Sequence, residues 1–394
     1  MKCLPASKIP QTQGNVLHDW HAEVLAIRAL NRFVLDECKA MLQGCSSEFL
    51  RLRTSDEMTA GAEGGWNGQP FTWREDFRLH MYCSEAPCGD ASMELIMASQ
   101  EDATPWDTPP PLTTINAATT TPTTSLEPTL PGRAYFSQLG VVRRKPARSD
   151  AQPTLSKSCS DKLALKQCTS LLSSPAALLV DPRHVYLDTL VLPASRHSDS
   201  ACRRAFSAEG RMLSLSREVE KGGCYAFRPF VVNTTTSEFA FSQRTTSLAA
   251  IEANRNDNEG NEQKTAAGVA PSNLAVAWTH SGLEETSLGG TLQGRKQFDP
   301  RGASFASRRK IWALAAEVAN LVKQVDRDGE GNEGEDREVD CLVVADIRRA
   351  LNADTYGEMK NSPLLQSRRA VKEKARSESL RGWARNAGDE SFTL

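Results

Sequence analysis

The sequence feature that most constrains the fold is a run of apolar residues at three- and four-residue spacing that begins just after His21-Ala-Glu23. Such spacing predicts an amphipathic helix over about residues 21–42, with one face buried against the rest of the chain. The apolar positions are Val24, Ile27, Leu30, Val34, Cys38 and Met41. Asp19 precedes the run as a plausible N-cap. We therefore expect His21 and Glu23 at the N-terminus of a long core helix.

A histidine and a glutamate two positions apart suit a hydrolytic zinc site. His21 would supply a nitrogen ligand, whereas Glu23 is too close in sequence to serve comfortably as a second ligand. Glu23 would instead accept the proton of a zinc-bound water. Taken alone, the motif is common, and a structural role for His21 is the alternative interpretation.

Two cysteines complete a candidate ligand set. Cys88 lies in Pro-Cys-Gly-Asp and Cys159 in Ser-Cys-Ser-Asp-Lys, each at a predicted junction between a loop and a helix. Helix N-termini favour a thiolate over a thiol. With His21, the two thiolates would leave a fourth tetrahedral position for water, as a catalytic zinc site requires. Short Cys-x-x-Cys spacing is absent at Cys88, because Ala91 occupies the last position.

The composition bounds the class of protein. Only 39% of the 394 residues are hydrophobic, and polar stretches predict disordered insertions at about 101–131, 243–270 and 326–338. A formal net charge of −2 does not indicate a nucleic-acid binder, so an RNA surface would need local clusters of basic residues.

The chain lacks the signals of an exported or membrane protein. The first ten residues have no apolar segment typical of a signal peptide, and no apolar run approaches the length of a membrane span. We expect an intracellular protein whose scattered cysteines are free thiols or metal ligands and not disulfides. The sequence indicates no membrane association and no particular protein partner.

Taken together, the motifs resemble those of the RNA adenosine deaminases, most closely the fungal-type tRNA-specific adenosine deaminases. The resemblance covers most of the chain that we expect to be ordered. The matching text is Lys2-Cys-Leu-Pro, His18-Asp-Trp-His-Ala-Glu23, Tyr82-Cys-Ser-Glu-Ala-Pro-Cys-Gly-Asp90, Lys145-Pro-Ala-Arg-Ser-Asp150, Ser158-Cys-Ser-Asp-Lys162 and the segment from Tyr356 to Trp383.

The resemblance implies an α/β fold, with a cytidine-deaminase-like mixed sheet flanked by helices and elaborated by C-terminal segments. The whole of 1–394 would form a single RNA adenosine deaminase (editase) domain. The implied activity is zinc-dependent hydrolytic deamination of adenosine to inosine in tRNA, next to the anticodon of alanine tRNA. In this family's pattern His21, Cys88 and Cys159 match the zinc ligands and Glu23 matches the proton shuttle.

The resemblance also implies a buried inositol hexakisphosphate beneath the active site. The residues that match its pocket are Arg28, Lys162, Tyr356, Lys360, Lys372 and Trp383. A buried polyanion needs many cations around it, and those cations would otherwise lack partners. Lys145 and Arg148, in a basic loop, are the candidate RNA contacts.

Several positions depart from the family's pattern. Leu165-Lys166 stands where editing relatives have Arg-Trp, and Ile27 stands where many have Arg. The strands that precede the Lys2 match in the family are expected to be missing. A catalytically impaired or non-catalytic RNA-binding remnant is therefore the alternative to an active enzyme. A deaminase of free nucleosides is disfavoured, since such enzymes usually keep the short cysteine spacing.

Overall fold

A computed structural model describes residues 2–59, 65–99, 130–131, 136, 138–145, 152–216, 224–256, 272–322 and 335–394. Its helices are α1 (Ala22–Leu42), α2 (Ser55–Thr59), α3 (Met93–Ala98), α4 (Cys159–Thr169), α5 (Ala176–Leu179), α6 (Asp199–Phe206), α7 (Leu213–Ser216), α8 (Gln243–Asn256), α9 (Arg308–Leu321), α10 (Glu335–Leu351), α11 (Tyr356–Asn361) and α12 (Gln366–Glu378).

The strands are short and divided among several sheets. They are β1 (Leu50–Leu52), β2 (Phe71–Trp73), β3 (Leu79–Tyr82), β4 (Leu130–Pro131), β5 (Arg143–Arg144), β6 (Val180–Asp181), β7 (Leu187–Pro193), β8 (Val231–Thr235), β9 (Leu274–Trp278), β10 (Glu284–Leu288) and β11 (Thr291–Leu292).

Three of the sheets have three strands each. Strands β3, β7 and β8 are parallel to one another, with β7 in the middle. In the second sheet β2 pairs antiparallel with β1 and parallel with β6. The third is an antiparallel meander of β9, β10 and β11. The expected α/β class is confirmed, and among the described residues the strands lie in separate small sheets. The cytidine-deaminase-like mixed sheet stays a prediction.

Helix α1 is the centre of the core, as its apolar periodicity predicted. Val34, Leu35 and Cys38 are fully buried, and the helix packs against α9 and β9. The prediction of its N-cap was wrong. His21 occupies the N-cap position without a capping side chain. Asp19 lies two residues earlier and accepts hydrogen bonds from His21 and from distant lysines.

Two predicted disordered stretches contain helix. Residues 243–256 form α8, and α10 begins at Glu335 inside the third stretch. Helix α8 contains no glycine or proline and has three Ala and two Arg residues, which favour helix despite the polar composition. Residues 101–129, 257–270 and 326–334 lie outside the described residues.

The segment before α1 is held in place by residues near the end of the sequence. The Asp389 carboxylate accepts a hydrogen bond from the Gly14 amide at 2.8 Å. Gly14 has a φ of +70°, and an added Cβ would lie 2.4 Å from the Phe392 ring. Phe392 stacks on Tyr356 at 4.9 Å and meets the buried Trp312 edge-on at 5.8 Å. These contacts fix the approach of the chain to His21.

In the part of the chain that the structure describes, no helix combines the length and the apolar character needed to cross a membrane.

Substitution of Phe392 tests whether the aromatic cluster stabilises the fold. Phe392 is 2% exposed, so Phe392→Ala should lower the free energy of unfolding by roughly 3–5 kcal/mol. Phe241 is 78% exposed, and Phe241→Ala should change it by less than about 0.5 kcal/mol. Chemical denaturation followed by circular dichroism measures both. Similar small changes for the two variants would show that Phe392 is not a core residue.

Candidate active site and adjoining cavity

The buried carboxylate of Asp19 connects several parts of the site. Its Oδ1 accepts a hydrogen bond from His21 Nδ1 at 2.8 Å. Its Oδ2 accepts from Lys145 Nζ at 3.0 Å, from Ser156 Oγ at 2.6 Å and from Lys162 Nζ. Burial raises the pKa of Asp19, but Lys162 and Lys145 outweigh burial and hold that pKa well below its usual range. Asp19 is therefore an ionised hub, a role that its sequence position did not reveal.

His21 is oriented by this hub. Because Nδ1 donates to Asp19, Nε2 remains the ring nitrogen that can hold a ligand. Burial lowers the pKa of His21, whereas its hydrogen bonds with Asp19 and Cys3 raise it, to about 10 overall. Metal binding at Nε2 would thus displace a proton. Glu23, in the first turn of α1, interacts electrostatically with Cys88 and Cys159.

Cys88 and Cys159 lie beside each other although 71 residues separate them. The Cys159 backbone amide donates to Cys88 Sγ at 3.4 Å, and the two thiols share a hydrogen bond. That bond lowers the pKa of Cys88 and raises the pKa of Cys159. The lowered pKa favours the thiolate form of Cys88, and the positive charges of Lys145 and His21 act in the same direction.

Local structure explains this pairing. Ser158 caps α4 and accepts a hydrogen bond from the Asp161 amide. Gly89 has a φ of +104°, and a Cβ there would lie 2.3 Å from Ser158 Oγ. Ser160 Oγ donates to the carbonyls of Pro87 and Cys88. The loop after β3 can thus lie directly on the N-terminus of α4.

A third cysteine lies near His21 and was not predicted. Residue Cys3 pairs with Asp19 in an isolated antiparallel bridge, which places Cys3 Sγ 3.7 Å from His21 Nδ1. Within the described residues, Cys3, Asp19 and His21 have possible ligand atoms that all lie within 4.8 Å of one another. This cluster shares only His21 with the predicted ligand set.

The structure does not favour the predicted RNA contact of Lys145. Lys145 is 7% exposed, and its ammonium donates to Asp19 and to Cys159 Sγ at 3.2 Å. We therefore assign Lys145 to the interior of the site and not to an RNA surface. Arg148, the other predicted contact, lies outside the described residues.

A cavity of about 800 Å³ adjoins the hub, and both Asp19 and Lys162 line it. Among the other residues around it are Arg28, Lys360, Lys372 and Trp383, all predicted from the sequence. Cations dominate the lining, while its acidic residues are Asp19, Glu373 and Glu390. The basic residues are Arg28, Lys157, Lys162, Arg308, Lys360, Arg368, Arg369, Lys372, Arg376 and Arg385.

Burial and the neighbouring cations lower the pKa values of several of these basic groups. Burial and the adjacent Arg308 lower the pKa of Arg28 to about 10. Burial lowers the pKa of Lys372 well below its usual value, and so do the neighbouring charges of Arg368 and Arg376. Burial likewise lowers the pKa of Lys360. The cavity thus concentrates more positive charge than its acidic lining residues offset.

Tyr356 is the one predicted pocket residue that does not line the cavity as described. It is 9% exposed, and its ring lies 5.6 Å from Lys360 Nζ and 5.9 Å from the Arg308 guanidinium. Tyr356 therefore packs behind two of the lining cations.

Sequence reasoning missed several lining residues. Arg308 begins α9, and Arg368 and Arg376 lie one turn on either side of Lys372 in α12. The four-residue spacing of these α12 residues was a usable signal, because such residues share one face of a helix.

The chain is similar to known proteins of one family. A model of the adenosine-deaminase (editase) domain matches residues 1–387. The tRNA-specific adenosine deaminase 1 of Schizosaccharomyces pombe is 39% identical over 62% of this chain and 56% of its own length. The Saccharomyces cerevisiae protein of the same name is 31% identical over 58% of this chain and 52% of its own length.

A more distant relative is the double-stranded RNA-specific editase Adar of Drosophila melanogaster, which is 26% identical over 51% of this chain and 27% of its own length. The chain spans about half the length of the two yeast relatives. The match to the family model nevertheless extends over nearly the whole chain. This chain therefore belongs to the adenosine-deaminase (editase) domain family.

Proposed function

We propose that this chain catalyses the zinc-dependent hydrolysis of adenosine to inosine in tRNA. The observation that carries the proposal is the convergence of His21, Glu23, Cys88 and Cys159. Their charges interact although they come from separate parts of the chain. The names of the yeast relatives, tRNA-specific adenosine deaminase 1, support tRNA as the substrate.

The donor atoms suit zinc. One imidazole nitrogen and two sulfurs form a borderline-soft ligand set, and zinc prefers such a set. His21, Cys88 and Cys159 would hold the ion, which when bound supplies a Lewis acid that makes water acidic enough to attack near neutral pH. Asp19 would keep the His21 ring in the tautomer that leaves Nε2 free.

The remaining side chains would manage charge and protons. Glu23 would take a proton from the attacking water and return it to the departing ammonia. Lys145 lies 3.2 Å from Cys159 Sγ, so its ammonium would partly offset the negative charge of two thiolates. The target adenosine must leave its base stack to reach these residues.

The finer substrate assignment follows the resemblance of the motifs. We propose the adenosine immediately 3′ of the anticodon in alanine tRNA as the target.

We further propose inositol hexakisphosphate as a structural cofactor in the cavity. The support is physical: buried cations without counterions destabilise a fold, and a compact polyphosphate would neutralise them. Arg28, Lys162, Lys360 and Lys372 would hold phosphate groups, with Trp383 beside them. Because Lys162 also donates to Asp19, the ligand would stabilise the hub that orients His21.

Replacement of Glu23 tests the catalytic assignment. Glu23→Gln should retain zinc but lose on the order of 10²–10⁴-fold in inosine formation, because the amide cannot accept a proton. The measurement is inosine in transcribed alanine tRNA, with metal content by mass spectrometry. Exposed Glu48→Gln is the matched control and should keep full activity. Equal turnover by Glu23→Gln and the wild type would refute the role of Glu23, and an inactive, zinc-loaded wild type would favour a non-catalytic remnant.

Replacement of single cysteines tests the ligand set. Cys88→Ser and Cys159→Ser should weaken zinc affinity by more than about 100-fold, the upper range for losing an outer-shell partner. Two control variants should retain zinc. They are Cys45→Ser, at an exposed cysteine, and Cys3→Ser, at a cysteine that lies near His21 but is not a predicted ligand. Competition with a fluorescent chelator measures these affinities. Zinc loss from Cys3→Ser, with retention by Cys88→Ser, would transfer the site to the Cys3, Asp19 and His21 cluster.

Binding of the polyanion should depend on pH. In the free protein the pKa of Lys372 is lowered by burial and by Arg368, Arg376, Lys360 and Lys166. A bound polyanion would raise this pKa towards its ordinary value, so binding takes up protons. Affinity should therefore be greatest below the lowered pKa and should fall as the pH rises through it.

Calorimetry in buffers of different ionisation enthalpy measures this proton uptake. Inositol hexakissulfate is a suitable control ligand, because its sulfates do not titrate near neutral pH. Proton release, or an affinity that rises with pH for this ligand, would contradict the prediction.

A further inference from the structure

One face of α12 presents three cations to the cavity at four-residue spacing, namely Arg368, Lys372 and Arg376. Residues at this spacing lie one above another on a helix. Lys372 was predicted to hold phosphate, whereas neither arginine was among the predicted pocket residues. The three charges interact with one another, since both arginines contribute to the lowered pKa of Lys372.

Both arginines have an unused hydrogen-bond donor. The Nε atoms of Arg368 and Arg376 are buried and have no hydrogen-bond partner in the protein. Arg368 Nη2 donates to the Leu172 carbonyl at 2.6 Å, and its guanidinium also bonds Tyr225. Arg376 lies over the Trp383 ring at 5.3 Å and meets Glu373 at 3.7 Å. A buried donor without an acceptor destabilises the fold. The two Nε atoms therefore indicate a ligand that supplies the missing acceptors.

The α1 and α4 walls of the cavity each contribute one lining cation, Arg28 and Lys162 respectively. Ile27 and Leu165 belong to the hydrophobic core. The ammonium of Lys166 donates to the carbonyls of Leu171 and Leu172, at 3.0 and 2.9 Å, and Lys166 is not among the residues lining the cavity. In α4, therefore, the lining cation is Lys162.

We propose that Arg368 and Arg376, on either side of Lys372, are the principal anchors of the polyphosphate ligand. This inference rests on the proposed polyanion cofactor and adds that α12, which contributes more lining cations than α1 or α4, makes the main contacts with the ligand. A guanidinium binds a phosphate through two parallel N–H donors, which an ammonium cannot do. The α12 face thus provides two guanidinium groups that can each bind phosphate through two donors, with the Lys372 ammonium between them.

Charge-preserving variants test the proposal with inositol hexakisphosphate as the probe. R368K and R376K keep a positive charge but lose the fork, and each should weaken affinity by roughly tenfold or more. R381K is the matched control, because Arg381 is exposed, follows α12 and does not line the cavity. Its affinity should equal that of the wild type. Calorimetry gives the dissociation constants, and far-ultraviolet circular dichroism checks that each variant is folded.

The outcomes separate this inference from the proposed cofactor. If the wild type binds and both lysine variants bind equally well, α12 is not the principal anchor, although the cofactor proposal survives. If the wild type does not bind, the cofactor proposal fails and this inference fails with it. R376K decides the matter if R368K does not fold, because Arg376 makes the weaker contacts within the protein.

Discussion

The site depends on the interactions of the buried Asp19 carboxylate. A buried carboxylate stays ionised only if nearby cations and hydrogen-bond donors offset its desolvation, and Lys145, Lys162, Ser156 and His21 provide them. These partners come from the entrance to α1, the basic loop and the start of α4. One charge therefore fixes the positions of elements that are far apart in sequence, and it couples the candidate catalytic residues to the cationic cavity through Lys162.

The cavity shows the opposite electrostatic situation. There, basic side chains face one another across a cavity of about 800 Å³ whose lining contains few acidic residues. Repulsion and desolvation together destabilise such an arrangement, and lowered pKa values are its signature. A chain that folds around such a cavity gains stability from any polyanion that fills it, since a ligand that binds only the folded state stabilises that state.

The sequence predicted the elements with strong local signals. The helix predicted from the periodicity of α1 and the positions of Cys88 and Cys159 at loop-to-helix junctions are both present. Contacts between distant residues were not predictable, because no local pattern records that Asp19 meets Lys145 and Lys162. Tertiary burial also changed one assignment: Lys145 lies in a basic loop, yet its ammonium is enclosed. The sequence likewise did not predict that the strands lie in several small sheets, because the pairing of strands depends on the rest of the fold.

The contact between Gly14 and the segment 389–392 has a consequence for how the protein is made. Asp389 and Phe392 leave the ribosome more than 370 residues after Gly14. Contacts of such high sequence separation close late and slowly. The segment before α1 therefore cannot reach its final position until residues 389–392 have been made, and part of its apolar surface stays exposed to other chains in the meantime. Correct assembly of the site has to wait for this segment, so chaperones that shield nascent chains have a long interval in which to act.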